Sequence, residues 1–127
     1  MNLPGVGLLL DVDREYREKA ASGVLQKIAP SRSNPEHKSW LPVLRTRFGP
    51  WHFTAHYSNS DRAHELHHSH DWVVVYFDDE ERDKGHATIV TEYRGGLKGR
   101  RVVRGREPEC ATYYRAQARV AEPEAAI

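Results

Sequence analysis

Apolar positions along this chain change their period several times, and each change marks an element. In LLLDVDREYREKAASG, Leu9, Leu10, Asp13, Tyr16 and Arg17 recur at helical spacing, and Gly23 is a natural stop signal. The next stretch, LQKIAPSRSNPEHKSWLP, has little periodicity and contains Pro30, Pro35 and Pro42. It reads as a surface connector anchored by Ile28 and Trp40. VLRTRF alternates Val43, Arg45 and Arg47 against Leu44, Thr46 and Phe48. WHFTAHYS alternates again, with Trp51, Phe53, Ala55 and Tyr57 on one face and His52, Thr54 and His56 on the other. Gly49-Pro50 between the two runs predicts a hairpin.

SNSDRAHELHH opens with the capping groups Ser58, Asn59 and Ser60 and predicts a short helix. DWVVVYF is a continuous apolar run, the pattern of a strand buried on both faces. A charged turn, DDEERDKG, leads to a partner strand, HATIVTEY. RGGLKGRRVVRGRE places glycine breaks around a short RRVV strand, and PECATYYRAQARVA predicts a closing helix with Pro108 in its first turn. The order implies an α+β fold: a small, mostly antiparallel sheet of four to five strands with two to three helices. Residues 1–23 form an N-terminal segment with a helix, 24–120 a single α+β domain, and 121–127 a tail.

Composition narrows the class. The 127 residues suffice for one domain with one modest core. With 39% hydrophobic and 29% charged residues and a formal net charge of +1, bulk charge selects no partner, so electrostatic function must come from local clustering. The lone Cys110 cannot form an intrachain disulfide, which fits a reducing, cytoplasmic compartment of bacterial type. No apolar run reaches the roughly 18 to 20 residues of a membrane span.

HELHHSH, His64 to His70, matches H-E-x-x-H in letters, the spacing of a zinc hydrolase helix. Yet the helix has about two turns before the next strand begins, His68 falls at its fraying end, and nothing in the spacing of His52, His56, His70 or His86 selects a third ligand. Zinc at His64 and His68 is therefore a weak reading, and adventitious surface histidines the stronger one.

Taken together, LLLDVDREYR, KIAPSRSNPEHKSWLPVLRT, GPWHFTAHYSNSDRAHEL, DWVVVYF and TIVTEYRGGLKGRRVVRGREPEC resemble the C-terminal domain of bacterial helix-hairpin-helix DNA-binding proteins, a group loosely annotated alongside family X DNA polymerases. The resemblance spans about Leu8 to Tyr114 and implies a place in DNA metabolism or repair, without implying a chemistry. In that group the segment after AHEL is usually not histidine-rich, which weakens the zinc reading further. Members usually carry helix-hairpin-helix repeats upstream, with an LPGVG hairpin among them. Here LPGVG stands at Leu3 to Gly7 with no helix before it to form the first arm, as a remnant or a coincidental turn.

Among features read from the residues themselves, the basic segment Arg94, Lys98, Arg100, Arg101, Arg104 and Arg106 is the best functional one: six cations in thirteen residues, spaced by glycines that permit close approach to a phosphate strand. Arg45, Arg47 and Arg62 extend the patch if their strands pack beside it. The competing readings are pairing with Glu92, Glu107 and Glu109, or a site for a small anion or a protein. DVDRE offers a metal-dependent nuclease alternative, with Asp11, Glu15, Asp71 and Glu92 holding Mg²⁺ or Mn²⁺ and Lys98 nearby. On a helix Asp11 and Asp13 point about 200° apart, and salt bridges to Arg14, Arg17 and Lys19 compete for these carboxylates. Trp51, Phe53, Tyr57, Trp72 and Tyr76 read as core, and Trp40 and Tyr93 as better base-stacking candidates. Cys110 reads as a buried structural thiol ahead of a nucleophile with a lowered pKa.

The function expected is a nucleic-acid-binding or accessory module in DNA metabolism, with DNA as partner, no membrane and no required cofactor. A divalent-metal nuclease or hydrolase is the first alternative and a protein-interaction domain, including a homo-oligomer, the second.

Overall fold

A computed structural model describes residues 3–28, 41–58, 71–80 and 83–121. The chain begins with helix α1 (Val6–Ser22). Its apolar stripe of Val6, Leu9, Leu10, Val12 and Tyr16 is buried, and it stops where Gly23 adopts the left-handed conformation (φ 76°) that a side chain would strain. Two very short strands, β1 (Lys27–Ile28) and β2 (Leu41–Pro42), pair antiparallel. They close off the stretch read above as a connector. Strands of two residues are too short for any period to reveal them.

The main sheet is an antiparallel meander of five strands in chain order: β3 (Leu44–Phe48), β4 (Trp51–Tyr57), β5 (Val73–Asp78), β6 (Lys84–Thr91) and β7 (Arg101–Val103). Gly49-Pro50 turns β3 into β4, as the hairpin pattern predicts. A single 3-10 turn (Gly95–Leu97) precedes β7, and helix α2 (Glu107–Ala121) closes the described chain. Among the described residues the architecture is α+β, with a five-stranded antiparallel sheet and two helices.

Both helices contribute to one core. Leu9 and Tyr16 of α1 join Phe53, Ala55, Val73, Val75, Ile89 and Val103 of the sheet's inner face and Cys110 of α2. The Tyr16 hydroxyl donates to the Pro42 carbonyl (2.7 Å) and accepts from the Tyr57 N–H (3.0 Å), so one fully buried residue ties α1 to both sheets. Gly7 marks the crossing of α1 and α2, where an added Cβ would sit 2.9 Å from the Tyr113 ring. Of Leu3–Gly7, Pro4 and Val6 are buried in this core while Leu3 and Gly5 are exposed, and the Pro4 carbonyl accepts from Arg106 (2.7 Å).

The strand DWVVVYF departs from expectation. It is buried on one face only: Val73, Val75 and Phe77 point inward, while Tyr76 is 47% exposed. A run of β-branched and aromatic residues is compatible with either environment, and here the helices cover just one side. Among the described residues no helix is long and apolar enough to cross a membrane.

Candidate nucleic-acid interface

Side chains alternate across a strand, so burying Phe53, Ala55, Val75 and Phe77 turns their neighbours to the opposite face. The cross-strand register then builds rows. Arg47 pairs with His52, His52 with Asp78, and Asp78 with Lys84. In the adjacent row Arg45 pairs with Thr54, Thr54 with Tyr76, and Tyr76 with His86. Thr88 follows on β6, and its carbonyl accepts from the Arg104 N–H (2.9 Å), which brings Arg104 to the same face.

Three rings lie side by side across the middle of this outer face. The Tyr76 ring is 5.7 Å from His56 (33° between planes) and 5.8 Å from His86 (45°). Beside them is a shallow depression of about 460 Å³, lined by His52, Thr54, Tyr76, Asp78, Lys84 and His86. Arg45 and Lys84 are exposed and without a carboxylate partner among the described residues. Arg47 donates through Nε to the Gly49 carbonyl (3.3 Å), and Arg104 lies over the Trp72 ring at 5.1 Å. Two carboxylates reach this face: exposed Asp78 lies in register between His52 and Lys84, and its Oδ1 accepts the Glu80 N–H (2.5 Å). Glu80 Oε1 is 3.0 Å from His52 Nε2 but outside hydrogen-bond alignment, so that pair is a weak contact.

The basic segment of residues 94–106 is not one patch. Arg101 turns inward, its side chain 13% exposed. It donates from Nε and Nη2 to both oxygens of the fully buried Asp13 (3.1 and 2.9 Å). Its Nη1 donates to Asp71 Oδ1 (2.9 Å) and Thr91 Oγ1 (3.1 Å), and Nη2 also reaches the Ile89 carbonyl (3.1 Å). A guanidinium so fully engaged has no donor pair left for a phosphate, which corrects its reading as a nucleic-acid contact. Arg106 is held by Glu109 and the Pro4 carbonyl. Arg100 stacks on Tyr114 (4.6 Å), in the middle of α2 on the side facing the 3-10 turn. Arg94 and Lys98 are exposed in that turn. Arg45 and Arg47 sit on β3, the opposite edge of the sheet from β7, so they extend the outer face rather than this segment.

The four carboxylates of the nuclease alternative also scatter. Asp11 pairs with Arg14 (3.1 Å) and Glu15 with Lys19 (3.0 Å) on exposed α1. Asp71 serves Arg101 and Thr91, and Glu92 accepts the N–H groups of Tyr93 and Arg94. Among the described residues no group of three or more His, Cys, Asp or Glu side chains is placed to hold a metal ion. His64, His68, Arg62 and Trp40 lie outside the described residues. Cys110 is buried and accepts from the Val103 N–H (3.4 Å); burial pushes its thiol up, the direction of a structural cysteine.

Tyr76, expected in the core, is 47% exposed, and His56 and His86, weighed only as possible third zinc ligands, flank it on the outer face. Their signal was present in WHFTAHYS: once His52, Thr54 and His56 face outward, the strand that pairs with them must share that face at every second residue. Comparison with family models, with curated proteins and with solved structures finds no match to this chain.

Proposed function

We propose that this domain is a nucleic-acid-binding module, an accessory in DNA metabolism, whose interface is the outer face of the five-stranded sheet. One observation carries the reading: Arg45, Arg47, Lys84 and Arg104, from three separate parts of the chain, fall around one exposed face, and among the described residues none of the four is in an ion pair, although Asp78 and Glu80 reach the same face. The resemblance to domains of helix-hairpin-helix proteins supports DNA as the partner. Phosphate contacts by such cations release counterions, so affinity falls linearly in logarithm as salt rises.

The test is fluorescence anisotropy with labelled DNA and RNA between about 50 and 200 mM salt. Binding is expected to weaken steeply with salt, and the Arg45→Ala/Arg104→Ala variant to lose affinity with a salt slope shallower by about 2. Salt-independent binding, or an unchanged slope in the variant, removes this assignment. Arg101→Ala is unsuitable as a probe, because it opens the core before it touches a ligand.

A further inference from the structure

We propose that the nucleic acid taken by this face is single-stranded, with about two or three unpaired bases laid across β4, β5 and β6 and stacked on the strip His56, Tyr76, His86. The inference rests on the reading of the outer face as a nucleic-acid interface and adds which form of nucleic acid it takes and how.

Tyr76 stands on the central strand of the sheet, where a large aromatic side chain costs least to bury, yet it is 47% exposed. Beside Thr54, two of its neighbours on this face are rings, His56 and His86. At 5.7 and 5.8 Å and tilted by 33° and 45°, they flank Tyr76 without stacking face to face on it. A π-face so placed can accept a base, and every base offers one only when it is unpaired. The neighbouring depression supplies groups for base edges: the Thr54 hydroxyl, the His52 and His86 imidazoles, the Lys84 ammonium and the Asp78 carboxylate.

The cations lie on the two flanks of this strip. Arg45 and Arg47 are on β3 and Arg104 follows β7, four strand spacings apart, or about 19 Å at roughly 4.8 Å per step. That arrangement suits a sugar-phosphate backbone along a flank with its bases turned onto the rings between. Duplex readout asks for something different, a helix or two-stranded ribbon projecting into a groove. Both described helices instead pack with the inner face, through Leu9, Tyr16 and Cys110.

The experiment compares a fluorescein-labelled oligothymidylate, its RNA counterpart and a duplex of equal length by anisotropy. The proteins are the full chain, Tyr76→Ala, Tyr76→Phe and Arg45→Ala/Arg104→Ala. The single strand is expected to bind at least about tenfold more tightly than the duplex, and Tyr76→Ala to lose about ten- to hundredfold. Tyr76→Phe is expected to retain affinity, since it keeps the ring. Tyr76→Trp gives a second readout, with its emission quenched by the single strand. Equal binding of duplex and single strand with Tyr76→Ala unaffected, while the arginine variant weakens, overturns the single-strand inference and leaves the nucleic-acid reading standing. Absence of binding to all three probes overturns both. A thermal melt of Tyr76→Ala matching the parent's shows that its loss is one of contact rather than fold.

Discussion

Asp13 has no contact with water, so its charge is held only by the donors aimed at it: Arg101 through two nitrogens and Arg17 through Nε at 3.0 Å. Removing one partner of a buried pair costs about 3–5 kcal/mol when the other charge is left alone. Here Arg17 remains to Asp13 and Asp71 to Arg101, which holds the loss to about 3 kcal/mol. Asp13→Asn and Arg101→Ala are therefore each expected to lower the free energy of unfolding by about that amount in urea titrations, and their effects to be strongly non-additive. Losses that simply add would mean that the two side chains act independently. The sequence placed Asp13 at the helical spacing of Leu9, Leu10 and Tyr16, and its pairing with Arg17 was expected, but as a surface salt bridge rather than a buried one. Its partner Arg101 was not legible, because it lies 88 residues away among four other arginines and a lysine. Only the register of β6 with β7, which sets Arg101 opposite Thr91, selects it from that group.

Elements were read best where they are long and one-sided. α1, the β3–β4 hairpin and α2 all follow from period and stop signals, since each buries one face and wets the other. β5 defeated the same reasoning because valine and tyrosine suit a half-exposed strand as well as a buried one. What decides the matter is the neighbour in the sheet, not the strand's own composition. The scattering of the basic segment has the same origin: a turn, an edge strand and a helix start divide it, and each sends its arginines a different way. At the α1–α2 crossing the limiting contact is Gly7 against Tyr113. Gly7→Val forces that ring and the helix carrying it to move, with an expected loss of about 1–3 kcal/mol. Gly96→Ala, at a position with nothing within 4 Å and no positive φ, is the control expected to leave the melting temperature nearly unchanged. Equal melting temperatures for Gly7→Val and the parent would show that the helices can separate freely.

At the scale of the whole molecule, burial pushes the Tyr16 hydroxyl, the Cys110 thiol and the Tyr114 hydroxyl up from their ordinary values. The neutral forms are thus favoured in the folded state, and the unfolded chain ionises first. Their contribution is fully present below the unfolded values of about 8.5 for cysteine and about 10 for tyrosine, and is lost as pH rises beyond them. The melting temperature is expected to fall above about pH 9, and Tyr16→Phe, though less stable at neutral pH, to have a shallower alkaline slope. Parallel slopes for the two proteins would exclude Tyr16 as a source of the alkaline loss. The Asp13–Arg101 pair and the bond from Arg106 to Pro4, spanning 88 and 102 residues, also impose an order in time during synthesis. At about 5–20 residues per second, Asp13 leaves the ribosome's active centre roughly 4–18 s before Arg101 does. Over that interval the nascent α1 carries a carboxylate it cannot bury and an apolar stripe it cannot cover, so the domain closes late, when its last strand and final helix emerge.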